Sequence, residues 1–158
     1  MSVTVRRAVE ADYSALSEMW QQLDGEHARL QPAFFRWPVM PRPRGRYRGD
    51  LVDPHTAVFV ARLDDRPVGT VQVRIYDTSD QSMMLPRRRA YVEDLVVDER
   101  HRRRGVGRAL MDAAIDWAEG RGVGQIVLTV WQGNEAAHRL YRELGYREVN
   151  SVMARDLD

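Results

Sequence analysis

The chain has 158 residues, of which 44% are apolar and 30% are charged, as expected for one globular domain. It contains no cysteine, which excludes disulfides, thiolate metal sites and a cysteine nucleophile. The net charge is +1 and no apolar run is long enough to span a bilayer, so we expect a cytoplasmic single domain over residues 1–158 without a nucleic-acid or membrane partner.

The N-terminal half predicts a strand, an amphipathic helix, a proline-interrupted segment and a hairpin. The helix is predicted because apolar residues recur three and four positions apart, whereas four prolines interrupt residues 31–50. The predicted elements are a strand over residues 3–7, a helix over 11–26, a short helix around Tyr47 to Leu51, and strands over 57–63 and 68–76 joined by a turn at 64–67. A polar loop is predicted over 77–87.

The C-terminal half predicts strands that alternate with helices. Its predicted elements are a strand over residues 90–97, a basic loop over 100–104, a helix over 105–121, a strand over 125–130, a helix over 135–144 and a closing strand over 149–157. This order predicts an α/β fold with a mixed sheet that helices cover on both faces.

The strongest motif is a glycine-containing turn between a predicted strand and a predicted helix, Arg102-Arg103-Arg104-Gly105-Val106-Gly107-Arg108. Its two glycines let a bulky anion approach the backbone. Amides at a helix start lack intrahelical acceptors and the helix dipole makes that end positive, so the turn suits a phosphate group. The alternative is a tight strand–helix connection without a ligand. The turn matches neither a nucleoside-triphosphate P-loop nor the full dinucleotide-binding pattern.

A second motif follows, Asn134-Glu135-Ala136-Ala137-His138-Arg139-Leu140-Tyr141, with Leu144-Gly145-Tyr146 after it. Together with Arg102-x-x-Gly105-x-Gly107, it resembles the GNAT superfamily of N-acetyltransferases over about residues 90–147. The resemblance implies a mixed, mostly antiparallel central sheet of six to seven strands, flanked by helices on both faces. The N-terminal half matches the family only in element order, and in such proteins that half builds the acceptor site.

The resemblance also implies acetyl-CoA as the acyl donor. The turn would hold its pyrophosphate, and the backbone of the preceding strand would bind its pantetheine arm. The implied donor contacts are Leu95, Val96, Val97, Arg102, Arg103, Arg104, Gly105, Val106, Gly107, Arg108 and Asn134. Core packing of the strand residues and helix capping by Asn134 are the structural alternatives.

Transfer to an amine requires a base, because freeing the lone pair of an amine with a pKa near ~10.4 costs roughly 4–5 kcal/mol at pH 7. Glu93 lies next to the inferred thioester site and is the candidate. A surface ion pair with one of the arginines at 87–89 is the alternative. Asp94 is expected on the opposite face, because side chains alternate along a strand, unless a β-bulge intervenes.

The leaving thiolate benefits from a general acid, and Tyr141 occupies the position where the family keeps its general-acid tyrosine. Packing of a helix aromatic with Leu140 and Leu144 is the alternative.

The first helix and the proline-rich segment after it are expected to form one wall of the acceptor groove. Trp20, Asp24 and Phe35 are the candidate contacts, with Phe34 and Trp37 nearby. Aromatic rings beside an acidic residue suit a cationic amine, whereas simple core packing of the aromatic residues is the alternative.

The expected function is acetyl transfer to a primary amine, with a small molecule as acceptor. A protein or peptide acceptor and a domain that only senses acyl-CoA remain open as alternatives. A nucleic-acid-binding patch of arginines is disfavoured by the near-zero net charge. The histidines lack metal-ligand spacing, so no metal site is expected. Oligomeric state is left open, although similar proteins are often homodimers.

Overall fold

The computed structural model describes residues 2–37, 40–78, 83, 85 and 87–157. In this part of the chain one five-stranded sheet has its strands in chain order, antiparallel from the first to the fourth, with the fifth parallel to the fourth. The strands are β1 (Thr4–Arg7), β2 (Thr56–Leu63), β3 (Arg66–Asp77), β4 (Arg88–Val97) and β5 (Gln125–Leu128). The helices are α1 (Tyr13–Leu30), α2 (Arg44–Val52), α3 (Val106–Glu119) and α4 (Glu135–Glu143).

The two faces of the sheet carry separate hydrophobic clusters. On β2, Ala57 and Phe59 point toward the cluster formed with α3, while Val58 and Val60 point toward the cluster formed with α1 and α2. Both sets are buried, and full burial of each large apolar side chain stabilises the fold by about 1.5–3 kcal/mol. Helices on both faces of a mixed sheet are therefore confirmed. No helix in the described ranges is long and apolar enough to cross a membrane.

Gly69 on β3 sets how closely α3 packs on the sheet. A Cβ at this position would lie 3.0 Å from side-chain carbons of Leu110 and Val106 and 3.0 Å from the Val96 carbonyl oxygen. Only glycine fits without displacing backbone. The first turn of α3 is thereby held against the end of β4.

The last two strands pair over only part of β4. β5 pairs with β4 from Arg89–Gln125 to Val92–Leu128 and then ends, while β4 continues to Val97. The β5-facing edge of residues 93–97 is thus not paired with β5, and we call this unpaired edge the gap beside β4.

A β-bulge lies at the start of this part of β4. Gln72 pairs with Asp94 and Val73 pairs with Val92, so Glu93 is the extra residue. Glu93 contacts Gln72 and Asp94 contacts Arg42, and both carboxylates lie on the face covered by α1 and α2. Asp94 therefore does not point to the opposite face, because the β-bulge that was the stated alternative is present and interrupts the alternation.

The predicted count of six to seven strands is also wrong, since the described residues form five. The expected closing strand at 149–157 is not a strand. Its apolar residues, Val149, Val152, Met153 and Leu157, are 64–93% exposed. Val149, Met153 and Leu157 would share one face of a strand, but Ser151 and Arg155 would interrupt that face, so the segment has no continuous apolar face to bury against a sheet.

The other predicted elements are present with shifted ends. The first helix begins at Tyr13 after a short 3-10 turn and extends to Leu30. The hairpin turn uses left-handed backbone at Asp64 and Asp65, with φ of 46° and 63°. The polar loop predicted over 77–87 lies partly outside the described residues.

Candidate active site

The glycine-containing turn begins α3. Arg103 and Gly105 have φ of 61° and 78°, and Gly105 is the N-cap of the helix. The Ala109 amide donates to the Gly105 carbonyl oxygen at 3.0 Å, so the amides before it lie outside the helical hydrogen-bond ladder. This arrangement presents backbone donors at the positive end of a helix, which is what an anion requires.

The arginines of the turn differ in their contacts. Arg102 donates through Nε to the Val97 carbonyl oxygen at 3.1 Å and forms an ion pair with Glu26 of α1 at 2.6 Å. Its guanidinium therefore ties the turn to β4 and α1. Arg103 and Arg104 are exposed on the turn, so their positive charges face solvent.

Helix α4 packs over the start of α3. A Cβ on Gly107 would lie 3.2 Å from Leu140 Cδ2, and Arg108 pairs with Glu143 of α4 at 3.2 Å. Asn134 caps α4, because its Oδ1 accepts a hydrogen bond from the Ala137 amide at 3.2 Å. The capping role is confirmed, and a donor contact of Asn134 stays a prediction.

The end of β4 combines apolar side chains with a backbone edge beside the gap. Leu95 and Val97 pack against the cluster on the α3 side, and Val96 is buried on the α1 side. These side chains therefore pack in or against the hydrophobic core, as expected from the alternative in which they have a structural role. Contacts from the backbone edge to a ligand are compatible with this packing, because they do not involve the side chains.

Tyr141 on α4 packs against the cluster on the α3 side and lies 5.7 Å from the Tyr146 ring, centroid to centroid. Burial raises the pKa of the Tyr141 phenol well above its usual value, and burial also raises the pKa of Tyr146 to about 12. Tyr141 therefore keeps its proton across the neutral range.

Glu93 is held by two donors. Gln72 Nε2 donates to Oε2 at 2.6 Å and Arg74 Nε donates to Oε1 at 3.1 Å. Arg74 also pairs with Asp50 at 3.0 Å and Asp53 at 2.8 Å. The ion-pair partner of Glu93 is thus Arg74, not an arginine at 87–89. Each carboxylate oxygen accepts one hydrogen bond here, so each retains a lone pair.

A second ionic cluster lies beside the first. Arg42 donates through Nη1 to Asp94 at 2.5 Å and through Nη2 to Asp24 at 2.7 Å, and its Cζ lies 5.4 Å from the centre of the Trp20 ring. Trp20 is 3% exposed, so it is a core residue, yet its ring also forms one wall of this cluster. Sequence reasoning missed Arg42, whose partners lie 18 and 52 residues away in the chain.

Phe35 belongs to an aromatic bridge rather than to the Arg42 cluster. Its ring stacks on His27 at 5.2 Å and meets the edge of Trp131 at 4.8 Å, while Phe34 lies 5.3 Å from Trp131. Gln31 Nε2 also donates to the Gln132 carbonyl oxygen at 3.0 Å. The bridge joins the segment after α1 to the loop after β5. Sequence reasoning missed Trp131, which has no local spacing signal.

Metal-ligating side chains do not gather at this site. In the ranges that the structure describes, no three or more His, Cys, Asp or Glu side chains are placed to hold an ion. The carboxylates on the α1 and α2 face are instead engaged by Arg42 and Arg74.

The protein thus combines a mixed sheet, an edge of β4 that β5 leaves unpaired, and a helix start whose first amides lie outside the helical hydrogen-bond ladder. The model of the acetyltransferase (GNAT) family matches residues 18–146. The chain therefore belongs to the GNAT acetyltransferase family.

Individual proteins agree with this family assignment. A mutant of the BH1408 protein from Bacillus halodurans is 25% identical, with a TM-score of 0.91 over 98% of this chain and 99% of that one. The ribosomal protein bS18-alanine N-acetyltransferase of Escherichia coli is 44% identical over 55 residues, 35% of this chain and 37% of that protein. Streptothricin acetyltransferase of Streptomyces lavendulae is 41% identical over 58 residues, 37% of this chain and 31% of that protein. The chain thus matches less than half the length of these two curated relatives.

Proposed function

We propose that this protein transfers an acetyl group from acetyl-CoA to a primary amine of a small molecule. Glu93 acts as general base and Tyr141 as general acid. The observation that carries the proposal is the gap beside β4, which opens beyond Val92–Leu128 and leads to the turn that begins α3. An extended thioester with a pyrophosphate fits such a path.

The donor side fits this ligand in two respects. The turn offers amides outside the helical ladder and two exposed guanidiniums, Arg103 and Arg104, which suit a pyrophosphate. The backbone edge of Leu95–Val97 offers peptide groups to an amide-containing arm. Acetyl-CoA supplies the acetyl group as an activated thioester.

On the acceptor side, Glu93 takes the proton that the amine loses, directly or through one water. The new C–N bond forms as the C–S bond breaks. Arg74 and Gln72 hold the carboxylate in place, and a lone pair on each oxygen is free to receive the proton. A base placed in this way typically contributes about 10²–10⁴-fold.

Tyr141 gives its proton to the departing sulfur and recovers it from solvent. Its raised pKa keeps the phenol protonated at neutral pH, which is the state that this role needs. Its place on α4, which packs over the start of α3, supports this assignment because the donor would pass there.

Two features favour a small cationic acceptor over a protein. The bridge from Phe34 and Phe35 to Trp131 closes one side of the acceptor region, whereas a peptide needs a groove open at both ends. Asp24 and the Trp20 ring suit a cation. The curated relatives carry names of both kinds, a ribosomal-protein acetyltransferase and a streptothricin acetyltransferase.

The test is release of free thiol from acetyl-CoA in the presence of small amines, of peptides with free N-termini, or of no acceptor. The chain has no cysteine, so a thiol reagent has no background from the protein. We expect acceptor-dependent release with small basic amines. Release only with peptides would favour the protein-acceptor alternative. Binding of acetyl-CoA without release on any amine would favour a non-catalytic acyl-CoA sensor.

A further inference from the structure

A carboxylate of α2, Asp50, contacts both of the side chains that hold Glu93. Asp50 Oδ2 accepts a hydrogen bond from Gln72 Nε2 at 3.1 Å, and Asp50 Oδ1 accepts one from Arg74 Nη2 at 3.0 Å. The same two side chains donate to Glu93. We propose that Asp50 is a positioning residue for the catalytic base, and that it acts on Glu93 through Gln72 and Arg74. The inference rests on the proposed function, in which Glu93 is that base.

The bulge in β4 explains why the Glu93 side chain needs such support. The register between β3 and β4 skips Glu93, which is the extra residue of the bulge. A bulged residue is left out of the hydrogen-bond ladder of the sheet, so the ladder does not fix it. The carboxylate of Glu93 is placed instead by side-chain hydrogen bonds from β3, at 2.6 Å and 3.1 Å.

The amide of Gln72 can serve Glu93 in only one orientation. The residue is buried, at 4% exposure, and its Nε2 donates to both Asp50 and Glu93. Because a carboxylate only accepts hydrogen bonds, a flipped amide would turn its oxygen toward two carboxylates. Asp50 therefore helps to select the orientation in which the nitrogen faces Glu93.

The guanidinium of Arg74 is fixed in a similar way by the end of α2. Its Nη2 pairs with Asp50 at 3.0 Å and its Nη1 pairs with Asp53 at 2.8 Å, while its Nε pairs with Glu93. Asp53 is itself held, because Thr56 Oγ1 donates to it at 2.7 Å. A guanidinium is planar and rigid, so two fixed corners also set the direction of the Nε–H bond toward Glu93.

The location of Asp50 goes against local preference, which is an independent indication of a role in the site. It lies in the last turn of α2, which ends at Val52, and the negative end of a helix dipole disfavours a carboxylate there. The residue is also buried, at 8% exposure, which costs free energy unless the charge is paired and hydrogen-bonded. Conflicts of this kind between local preference and fold are expected at functional sites.

A purely structural role is the alternative, in which the network only fastens α2 to the sheet. The two roles differ in how they depend on Glu93. A residue that acts through the base loses its effect on turnover when the base is removed, whereas a structural residue affects turnover with or without the base. A double-mutant cycle measures this difference.

The experiment compares the wild type, Asp50→Asn, Glu93→Gln and the double variant by thiol release, with the small amine that is turned over fastest in the acceptor panel. Asparagine has the shape of aspartate but only one acceptor oxygen, so it cannot accept from both donors. Asp50→Ser, which leaves room for a water, is a second variant carried through the same cycle. The matched control is Asp12→Asn, because Asp12 is 6% exposed and also pairs with an arginine, at 2.7 Å.

We expect Asp50→Asn and Asp50→Ser to lower kcat about tenfold, which is part of the contribution of a general base, while the KM for acetyl-CoA is unchanged. In the Glu93→Gln background, the same substitutions should change kcat by less than about twofold, because Asp50 then has no base to position. Asp12→Asn should keep the wild-type kcat.

An equal loss of kcat in both backgrounds would overturn the inference, and so would wild-type kcat in the Asp50 variants. Failure of both Asp50 variants to fold when Asp12→Asn folds would overturn it too, because the role of Asp50 would then be structural. Failure of the proposed function is recognised separately, since Glu93→Gln would keep wild-type activity or the wild type would release no thiol with any amine. Without a base at Glu93, the inference falls as well.

Discussion

At the scale of single residues, the acceptor side is organised by ion pairs in which each carboxylate has a defined partner. Glu93 is held by Arg74, while Asp94 is held by Arg42. This arrangement results from the β-bulge in β4, which brings the consecutive carboxylates of Glu93 and Asp94 to the same face of the sheet. In the proposed function, Glu93 is the carboxylate that accepts a proton, while Asp94 stays paired with Arg42.

Replacing Glu93 by Gln tests the base. The amide keeps the shape and cannot accept a proton, so we expect kcat/KM at pH 7 to fall by about a hundredfold. The deficit should shrink as pH rises toward the pKa of the amine, because the amine then loses its proton to solvent. Glu10→Gln, which alters an exposed ion pair with Arg44 and Arg48, is the control. Unchanged activity of Glu93→Gln across pH would eliminate Glu93 as the base.

Replacing Tyr141 by Phe tests the acid. Removing the hydroxyl should lower kcat by roughly a hundredfold, the low end for a general acid, because a thiolate is already a good leaving group. Since burial raises the pKa of Tyr141, the wild-type pH–rate profile should show no loss from phenol ionisation below about pH 10. A Tyr141→Phe enzyme with wild-type kcat would rule out this role.

Asp12 is a structural carboxylate outside the site. Burial raises the pKa of Asp12. The hydrogen bonds from Arg6 and from the Val9 amide, together with the positive charge of Arg6, lower it by more, so the pKa of Asp12 lies below its ordinary value. A lowered pKa in the folded state stabilises the protein above the unfolded-state pKa, and this contribution is lost as pH falls through the folded-state pKa.

Asp12→Asn should therefore lower the free energy of unfolding at neutral pH by about 2 kcal/mol and flatten its decline in acid. Chemical denaturation over a pH series measures both effects. Asp65→Asn, at a fully exposed carboxylate, is the control. Parallel acid dependence in Asp12→Asn and the wild type would contradict the account.

At the scale of elements, the proposed donor site depends on how α3 packs against β3 and β4. Gly69→Ala would place a methyl group 3.0 Å from the Val96 carbonyl oxygen and from two α3 side chains. We expect a loss of about 1–3 kcal/mol in the free energy of unfolding, measured in urea, and weaker acetyl-CoA binding.

Gly49 provides the control for this change. It lies in α2, and a Cβ there meets nothing within 4 Å. Gly49→Ala should be neutral or stabilising by up to about 1 kcal/mol, because alanine is the better helix former. If the two variants were equally stable, the close packing around Gly69 would not be what requires glycine at this position.

At the scale of the whole molecule, the parts that sequence could predict are those encoded locally. The turn at Gly105, the cap at Asn134 and the strand before the turn each depend on neighbouring residues, and each is found. The Arg42 ion pairs and the aromatic bridge depend on contacts between residues that are far apart in the chain. Arg42 with Asp94, and Phe35 with Trp131, are brought together only by the packed fold.

Two of the differences between expectation and structure have related causes. Asp94 was expected on the wrong face because strict alternation hides a bulge, which appears only in the register with β3. The segment at 149–157 was expected to be a strand on its apolar content. Apolar content does not suffice, because Ser151 and Arg155 would interrupt the face that carries Val149 and Met153, and these apolar residues stay exposed.

The most direct test of the whole account is calorimetric titration of the purified protein with acetyl-CoA, with adenosine as the fragment that lacks the pyrophosphate. The account predicts micromolar affinity for acetyl-CoA and no measurable binding of adenosine, because the turn at the start of α3 recognises the pyrophosphate. Absence of acetyl-CoA binding would contradict it, since the gap beside β4 and the turn would then have no donor to hold.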